Sequence, residues 1–361
     1  MMAPNQDIAN DPDLLDLMMA DLQQADAIFQ PTQYWQHYQN LTLRALHRDG
    51  LTGLRGRANV AFSSFGCYEG TLGIDRDELR EANLDDNALD RAENVLGLLR
   101  AYPRSRLLPL GLNLADLMRG HLADLEREAR IHRNNAVSIF EVEDSLIGTP
   151  SVFFKVAGKT FTPSFTQAYR AYGQCMRDID LTSIDCVVEI GSGMGQQADL
   201  LHKLHPHLAI ILIDIPPQLY VSHQYLKMVH PRDCVEYRDT RTGHLVPEPG
   251  KIHFLGNWKI DAPRPKGPTV LWNARSFQEM SQRVVARYYK GFRVYADYLH
   301  LRNLRRGLEP EMIQALDLEP AVSRDFYLSH FSSDYDQIAD RWAVGLGEVR
   351  GYRIMTWKRR P

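Results

Sequence analysis

Apolar residues recur at helical spacing through the first third of the chain. Leu14, Leu15, Leu17, Met18 and Leu22 form one stripe, and Trp35, Tyr38, Leu41 and Leu46 form a second. Residues three and four apart share a helix face, so each stripe predicts an amphipathic helix with one buried side. Gly50 follows the second stripe as a C-terminal stop. Residues 76–101 and 112–132 predict two more helices, the latter with Leu114, Leu117, Met118, Leu122 and Leu125 on one face. Residues 1–11 read as a frayed terminus.

The texture changes near residue 180. Short runs rich in Val and Ile now alternate with amphipathic segments, and Cys186–Ile190, Leu208–Ile213, Ile252–Leu255, Thr269–Trp272 and Phe292–Leu299 are strand candidates. Continuous apolar runs suit strands buried on both faces, and their alternation with helices implies a parallel sheet covered on both sides. A last strand candidate, Tyr352–Trp357, follows Asp325–Phe331 with no long helix between them, as in a terminal hairpin on an otherwise parallel sheet. The expected organisation is a mostly helical region over residues 1–160 and an α/β domain over residues 161–361. The helical region would cover the substrate mouth or form a homodimer.

Of 361 residues, 44% are apolar and 24% charged, which excludes a disordered or fibrous chain. A formal net charge of −3 gives no electrostatic case for nucleic acid. No run of apolar residues is long enough for a membrane span. The N-terminus is acidic where a signal peptide would be basic, so a cytoplasmic location is expected. Cys67, Cys175, Cys186 and Cys234 form no CxxC pair, which indicates neither a disulfide framework nor a zinc cluster.

The candidate chemistry is concentrated where the first strong strand ends, in Glu189-Ile190-Gly191-Ser192-Gly193-Met194-Gly195. Glycines let backbone approach a ligand and adopt positive φ, and the helix that follows offers unpaired N–H groups. The dinucleotide pattern G-x-G-x-x-G is not met, because position 196 is Gln and the third glycine comes one residue early. Glu189 would repel a phosphate but suits an ammonium or sulfonium. Both details favour S-adenosylmethionine over NAD. Asp214 closes the next strand, in Ile213-Asp214-Ile215-Pro216, where an acid can accept both ribose hydroxyls or cap a helix.

These segments resemble motif I and the second-strand acid of class I S-adenosylmethionine-dependent methyltransferases. Trp272-Asn273-Ala274-Arg275-Ser276-Phe277-Gln278-Glu279-Met280 resembles a signature of the bacterial sugar O-methyltransferase family, with Arg275 a departure from its usual small or polar residue. The resemblance implies a Rossmann-like seven-stranded domain and methylation of a hydroxyl on a sugar or glycosylated small molecule. It implies that Glu189, Gly191, Gly193 and Gly195 hold the methionine part of the cofactor and Asp214 the ribose. Ile215 would flank the adenine, Asn257 and Trp258 would border it (Trp258 alternatively as a core aromatic), and Asn273 would lie at the ligand end of its strand. Methylation of a non-sugar molecule at nitrogen or carbon, an NAD-dependent oxidoreductase and a cofactor-binding module without catalysis are the alternatives.

An alcohol acceptor needs its proton removed, so a general base is expected. Alternation along Val294–His300 puts His300 nearest the catalytic end of its strand, and Glu279 lies in the signature, although Ser276-x-x-Glu279 is also a capping-box pattern. Asp297 and His244 are further candidates. His202, His205 and His207 read as helix surface or helix end, and no His/Asp spacing predicts a metal. Arg302, Arg305 and Arg306 read as solvated surface or as a contact for an acidic acceptor.

Overall fold

The computed structural model describes residues 7–56, 114–131, 135–308, 322–343 and 351–361. The helix expected over 76–101 and Cys67 lie outside them. Helix α1 (Pro12–Gln24) starts where the Asp11 carboxylate accepts from the Leu14 amide at 3.0 Å, with proline in the first turn. It buries Leu14, Leu15, Met18 and Leu22. Helix α2 (Gln33–Asp49) ends at Gly50, whose φ of +63° stops it as the sequence predicts.

Helix α3 (Leu114–Arg130) packs on α4 (Pro163–Met176), closely enough that a Cβ on Gly173 would stand 2.9 Å from the Ala129 Cβ. Gly173→Val is therefore expected to destabilise the protein by about 1–3 kcal/mol, read as a lower urea midpoint. Between these helices the chain forms a short antiparallel hairpin, β1 (Phe154–Val156) and β2 (Lys159–Phe161). The expected 160/161 division thus falls inside β2. One hydrophobic core runs from Leu14 and Leu54 through Tyr172 to Val187 and Ile210, so the N-terminal helices share a core with the sheet.

The sheet comprises β3 (Cys186–Ile190), β4 (Ala209–Asp214), β5 (Ile252–Gly256), β6 (Thr269–Ala274), β7 (Tyr298–Leu304), β8 (Tyr335–Trp342) and β9 (Tyr352–Arg359). Its seven strands are ordered β5-β4-β3-β6-β7-β9-β8. The pairs among β3 to β7 are parallel, and β9 joins β7 and β8 antiparallel. Helices α5 (Gln196–Leu204), α6 (Gln218–Val229), α7 (Gln282–Phe292) and α8 (Arg324–Phe331) complete the fold. This is the seven-stranded class I methyltransferase order. No helix among the described residues is long and apolar enough to cross a membrane.

Two sequence expectations shift. The strand expected over Phe292–Leu299 is displaced: Phe292 closes α7, Val294 is 64% exposed, and the strand starts only at Tyr298. A strand over Tyr335–Trp342 is not legible in the sequence. That segment is the sheet's edge, with a bulge between Gln337 and Ala339 and Asp340 paired to Arg324 and Arg353, so it lacks a continuous apolar signal.

Candidate functional site

The order of strand addition reverses at β3, which has β4 on one side and β6 on the other. Ligands in open α/β sheets bind at the carboxyl ends of strands at such a switch point. A cavity of about 400 Å³ opens there, walled by Glu189, Gly191, Gly193, Asp214 and Glu279, with Phe29 and Trp35 from the N-terminal region.

The turn after β3 leaves room for a ligand because Gly191 and Gly193, which line the cavity, carry no side chains. Gly191 has φ +79°, and a Cβ there would come 2.2 Å from the Ser276 hydroxyl. Gly193 N donates to Asp214 Oδ2 at 3.1 Å, tying the turn to the end of β4. Gly195 faces elsewhere: it precedes α5, and a Cβ would meet Leu226 Cδ1 of α6 at 2.7 Å. Its expected ligand role is corrected to close helix packing, because it does not line the cavity.

Three carboxyl groups share this space. Glu189 is 5% exposed and its Oε2 has no hydrogen-bond partner. Burial, and then the charge of Asp214, hold it well above the usual carboxylate range. Burial also raises Asp214 to about 6, against the hydrogen bonds from Ile215 N at 2.8 Å, Gly193 N at 3.1 Å and the Ser192 hydroxyl at 3.3 Å. Asp214 does not cap α6, whose N-cap is Pro217. Glu279 is raised to about 8, first by burial, with Arg275 lowering it and Asp214 raising it. Carboxyls raised in this way are stabilised in their ionised form by a cation or a hydroxyl donor and offer no positive partner to a phosphate, which disfavours a dinucleotide.

The structure settles where the other expected residues lie. Ile215 and Asn257 line the cavity. Asn257 Nδ2 donates to the Phe29 carbonyl at 2.9 Å and to the Tyr288 hydroxyl at 3.0 Å, joining the end of β5 to the N-terminal segment. Trp258 does not line the cavity; its indole covers Gly256, the core-aromatic alternative. Asn273 lies at the ligand end of β6, as expected, but is fully buried and does not line the cavity. Its Nδ2 donates to Ile190 O at 2.8 Å, and its Oδ1 accepts from Phe277 N at 3.2 Å and Asn303 Nδ2 at 2.9 Å. It is a positioning residue for the segment that carries Glu279.

His300 is corrected most strongly. Because β7 starts at Tyr298 and continues to Leu304, His300 lies inside the strand and not at its catalytic end. It is 1% exposed, its ring centroid is 4.7 Å from that of Trp272, and its Nδ1 is 3.3 Å from the Thr356 hydroxyl. Burial, followed by the charges of Arg341 and Arg302, lowers it to about 3. It does not line the cavity and cannot take a proton there. His244 is exposed on its loop, and Asp297 Oδ2 accepts from Thr269 N at 2.9 Å at the opposite strand end.

The capping-box alternative for Glu279 also fails. Residues Phe277–Glu279 form a short turn with no side-chain cap, and α7 starts later, capped by Ser281 through the Val284 amide. Sequence reading missed Phe29, Tyr288 and Tyr352 in the cavity wall. They come from segments far apart in the chain, and no local motif marks them. Arg275 lies in the same wall with φ +67°, over the Tyr352 ring at 5.5 Å. Arg302 packs at 5.3 Å from the same ring and is buried, not a solvated surface residue.

No family model and no curated protein matches the sequence. Among solved structures, the mitomycin 7-O-methyltransferase MmcR is 16% identical with a TM-score of 0.39, over 55% of this chain and 54% of that one. The pyocyanin biosynthetic protein PhzM is 11% identical with a TM-score of 0.38, over 55% and 57%. Magnesium protoporphyrin IX methyltransferase from Synechocystis PCC 6803, with bound SAH, is 11% identical with a TM-score of 0.40, over 54% and 83%. The matched segment spans about half the length of the first two proteins. By its own strand order, the chain has the class I methyltransferase fold.

Proposed function

We propose that this protein is an S-adenosylmethionine-dependent O-methyltransferase acting on a hydroxyl of a sugar or glycosylated small molecule. The observation that carries the proposal is the buried Glu189 carboxyl with an unpartnered oxygen, set beside a glycine-rich turn at the switch point. A buried acid without a partner is costly unless a cationic or hydrogen-bonding ligand completes it. When bound, the cofactor supplies an electrophilic methyl group on a cationic sulfur.

Each residue then has a defined task. Glu189 receives the ammonium end of the cofactor, and Gly191 and Gly193 leave room for it. Asp214 accepts from the ribose hydroxyls with the lone pairs its loop contacts leave free. Ile215 and Asn257 border the adenine. Glu279 takes the acceptor's proton, and Phe29 and Trp35 keep water from the reacting groups. Holding two reactants in line contributes roughly 7–11 kcal/mol, so positioning is the larger part of the work. The Asn273–Met280 segment supports a sugar-type acceptor by its resemblance, and Arg275 and Tyr352 supply polar and aromatic surface on that side of the cavity.

Calorimetric titration with S-adenosylmethionine and with NAD tests the cofactor, with saturable binding expected only for the former. Methyl release across sugars, glycosides and simple amines tests the acceptor. Binding of NAD alone, or transfer to amines alone, overturns the respective half. Asp214→Ala is expected to weaken cofactor binding tenfold or more, since a hydrogen bond to a charged group contributes roughly 1.5–3 kcal/mol. Unchanged affinity in the folded variant removes Asp214 from the site.

A further inference from the structure

We propose that His202, His230 and Asp233 form a binding site for one divalent transition-metal ion of the zinc class, at the opposite edge of the sheet from the cavity. The three residues come from separate places. His202 lies in the last turn of α5, His230 directly follows α6, and Asp233 ends the turn that leads towards β5. Both helices begin at the cavity edge, so their last turns lie at the far edge. The inference is independent of the proposed methyl transfer.

One donor atom from each residue lies within 4.8 Å of the other two. His202 Nε2 and Asp233 Oδ2 are 3.1 Å apart. Two ligand atoms on one tetrahedral zinc, each about 2.0–2.1 Å from it, stand about 3.3 Å apart. The His202 and His230 rings meet edge to face with centroids 4.5 Å apart. His202 is 7% exposed, so the Nε2 that faces Asp233 lies in a largely buried ring.

The surroundings resemble the support that metal-binding histidines use. His230 Nε2 is 2.7 Å from Oδ1 of the fully buried Asp199, which orients the ring and leaves Nδ1 for an ion. Lys203 holds the other Asp199 oxygen at 2.9 Å, and Lys251 holds Asp233 Oδ1 at 3.3 Å, leaving Oδ2 for coordination. The backbone is fixed as well: Asp233 N donates to His230 O at 3.0 Å, and Ile252 N donates to Asp233 O at 2.8 Å. The Asp233 side chain is 37% exposed, which gives an ion a path and a water the remaining position. Two imidazoles and one carboxylate favour zinc, cobalt or nickel over magnesium or calcium.

The test is titration of the chelator-stripped full-length protein with cobalt(II), read by its visible absorption, then displacement by zinc. One equivalent of cobalt is expected to bind saturably, yield to zinc and raise the unfolding temperature. Asp233→Asn should weaken binding at least tenfold, and His202→Gln/His230→Gln should abolish it. Asp233→Asn changes a partly exposed residue and decides alone if the double variant does not fold. Absence of saturable binding overturns the site. So does binding that is unchanged in Asp233→Asn, since the metal would then be held by other histidines or cysteines of the chain.

Discussion

Glu279→Gln is expected to lower turnover by roughly 10²–10⁴-fold, the usual contribution of a general base, while cofactor affinity stays near that of the parent. The effect follows from where the carboxyl lies. It reaches the same cavity as Glu189 and Asp214, and burial raises it to about 8. It makes no hydrogen bond or ion pair among the described residues, although the Arg275 charge is near enough to lower it. An acid of this kind is mostly protonated at neutral pH and accepts a proton only once ionised. Turnover at saturating cofactor should therefore rise through about pH 8 and level off above it. The glutamine variant should lack that limb.

The same group gives a stability signature. Its folded value lies above the ordinary 4.5, so the native state binds the extra proton. The stability it contributes is complete below about 4.5 and is lost as pH rises through about 8. Glu279→Gln should flatten this part of the stability–pH curve. Near-normal turnover with an unchanged pH profile would remove Glu279 from catalysis.

Asp144→Ala is expected to destabilise the protein by about 3–5 kcal/mol, because it leaves a buried guanidinium without its counter-charge. Arg55 and Asp144 are both fully buried, with Nη2 and Oδ2 2.5 Å apart. The same carboxylate accepts from Ser145 N at 2.7 Å, from Gln196 Nε2 at 3.2 Å and from the Thr162 hydroxyl. One acid thus joins the segment after α2, the start of α4 and the first residue of α5, just beyond the glycine-rich turn. Urea unfolding should show a lower midpoint with an unchanged slope. Replacing both partners, as Arg55→Met/Asp144→Leu, should recover much of the loss, since no unpaired charge then remains. A single variant as stable as the parent would show that the pair contributes little.

Several of these features were visible in the sequence for a definite reason. Strands buried on both faces need continuous apolar runs, so β3, β4 and β5 stood out in Cys186–Ile190, Leu208–Ile213 and Ile252–Leu255. A turn that must bring backbone to a ligand needs glycine, and a carboxylate at a strand end has few neighbours to confuse it with. Glu189, Gly191, Gly193 and Asp214 were therefore legible, and all four reach the cavity. The helix stop at Gly50 was legible because positive φ favours that residue.

Other features depend on long-range contacts that no local pattern carries. Val294-Tyr295-Ala296 is apolar enough to imitate a strand, but packing uses it after α7, and the resulting offset moved His300 from the catalytic edge into the core. Ser276 and Glu279 have capping-box spacing, yet the helix starts at Gln282, which leaves the Glu279 carboxyl in the cavity. The Arg55–Asp144 pair and the His202–His230–Asp233 cluster join residues whose separation in the chain gives no hint of contact. By itself the sequence determined the periodicities, the turn chemistry and the acids at two strand ends, because these follow from neighbours along the backbone. Tertiary structure alone decided which carboxyls share one cavity and which histidines are shut inside the sheet. Burial and charge proximity are set by segments that meet only when the core closes.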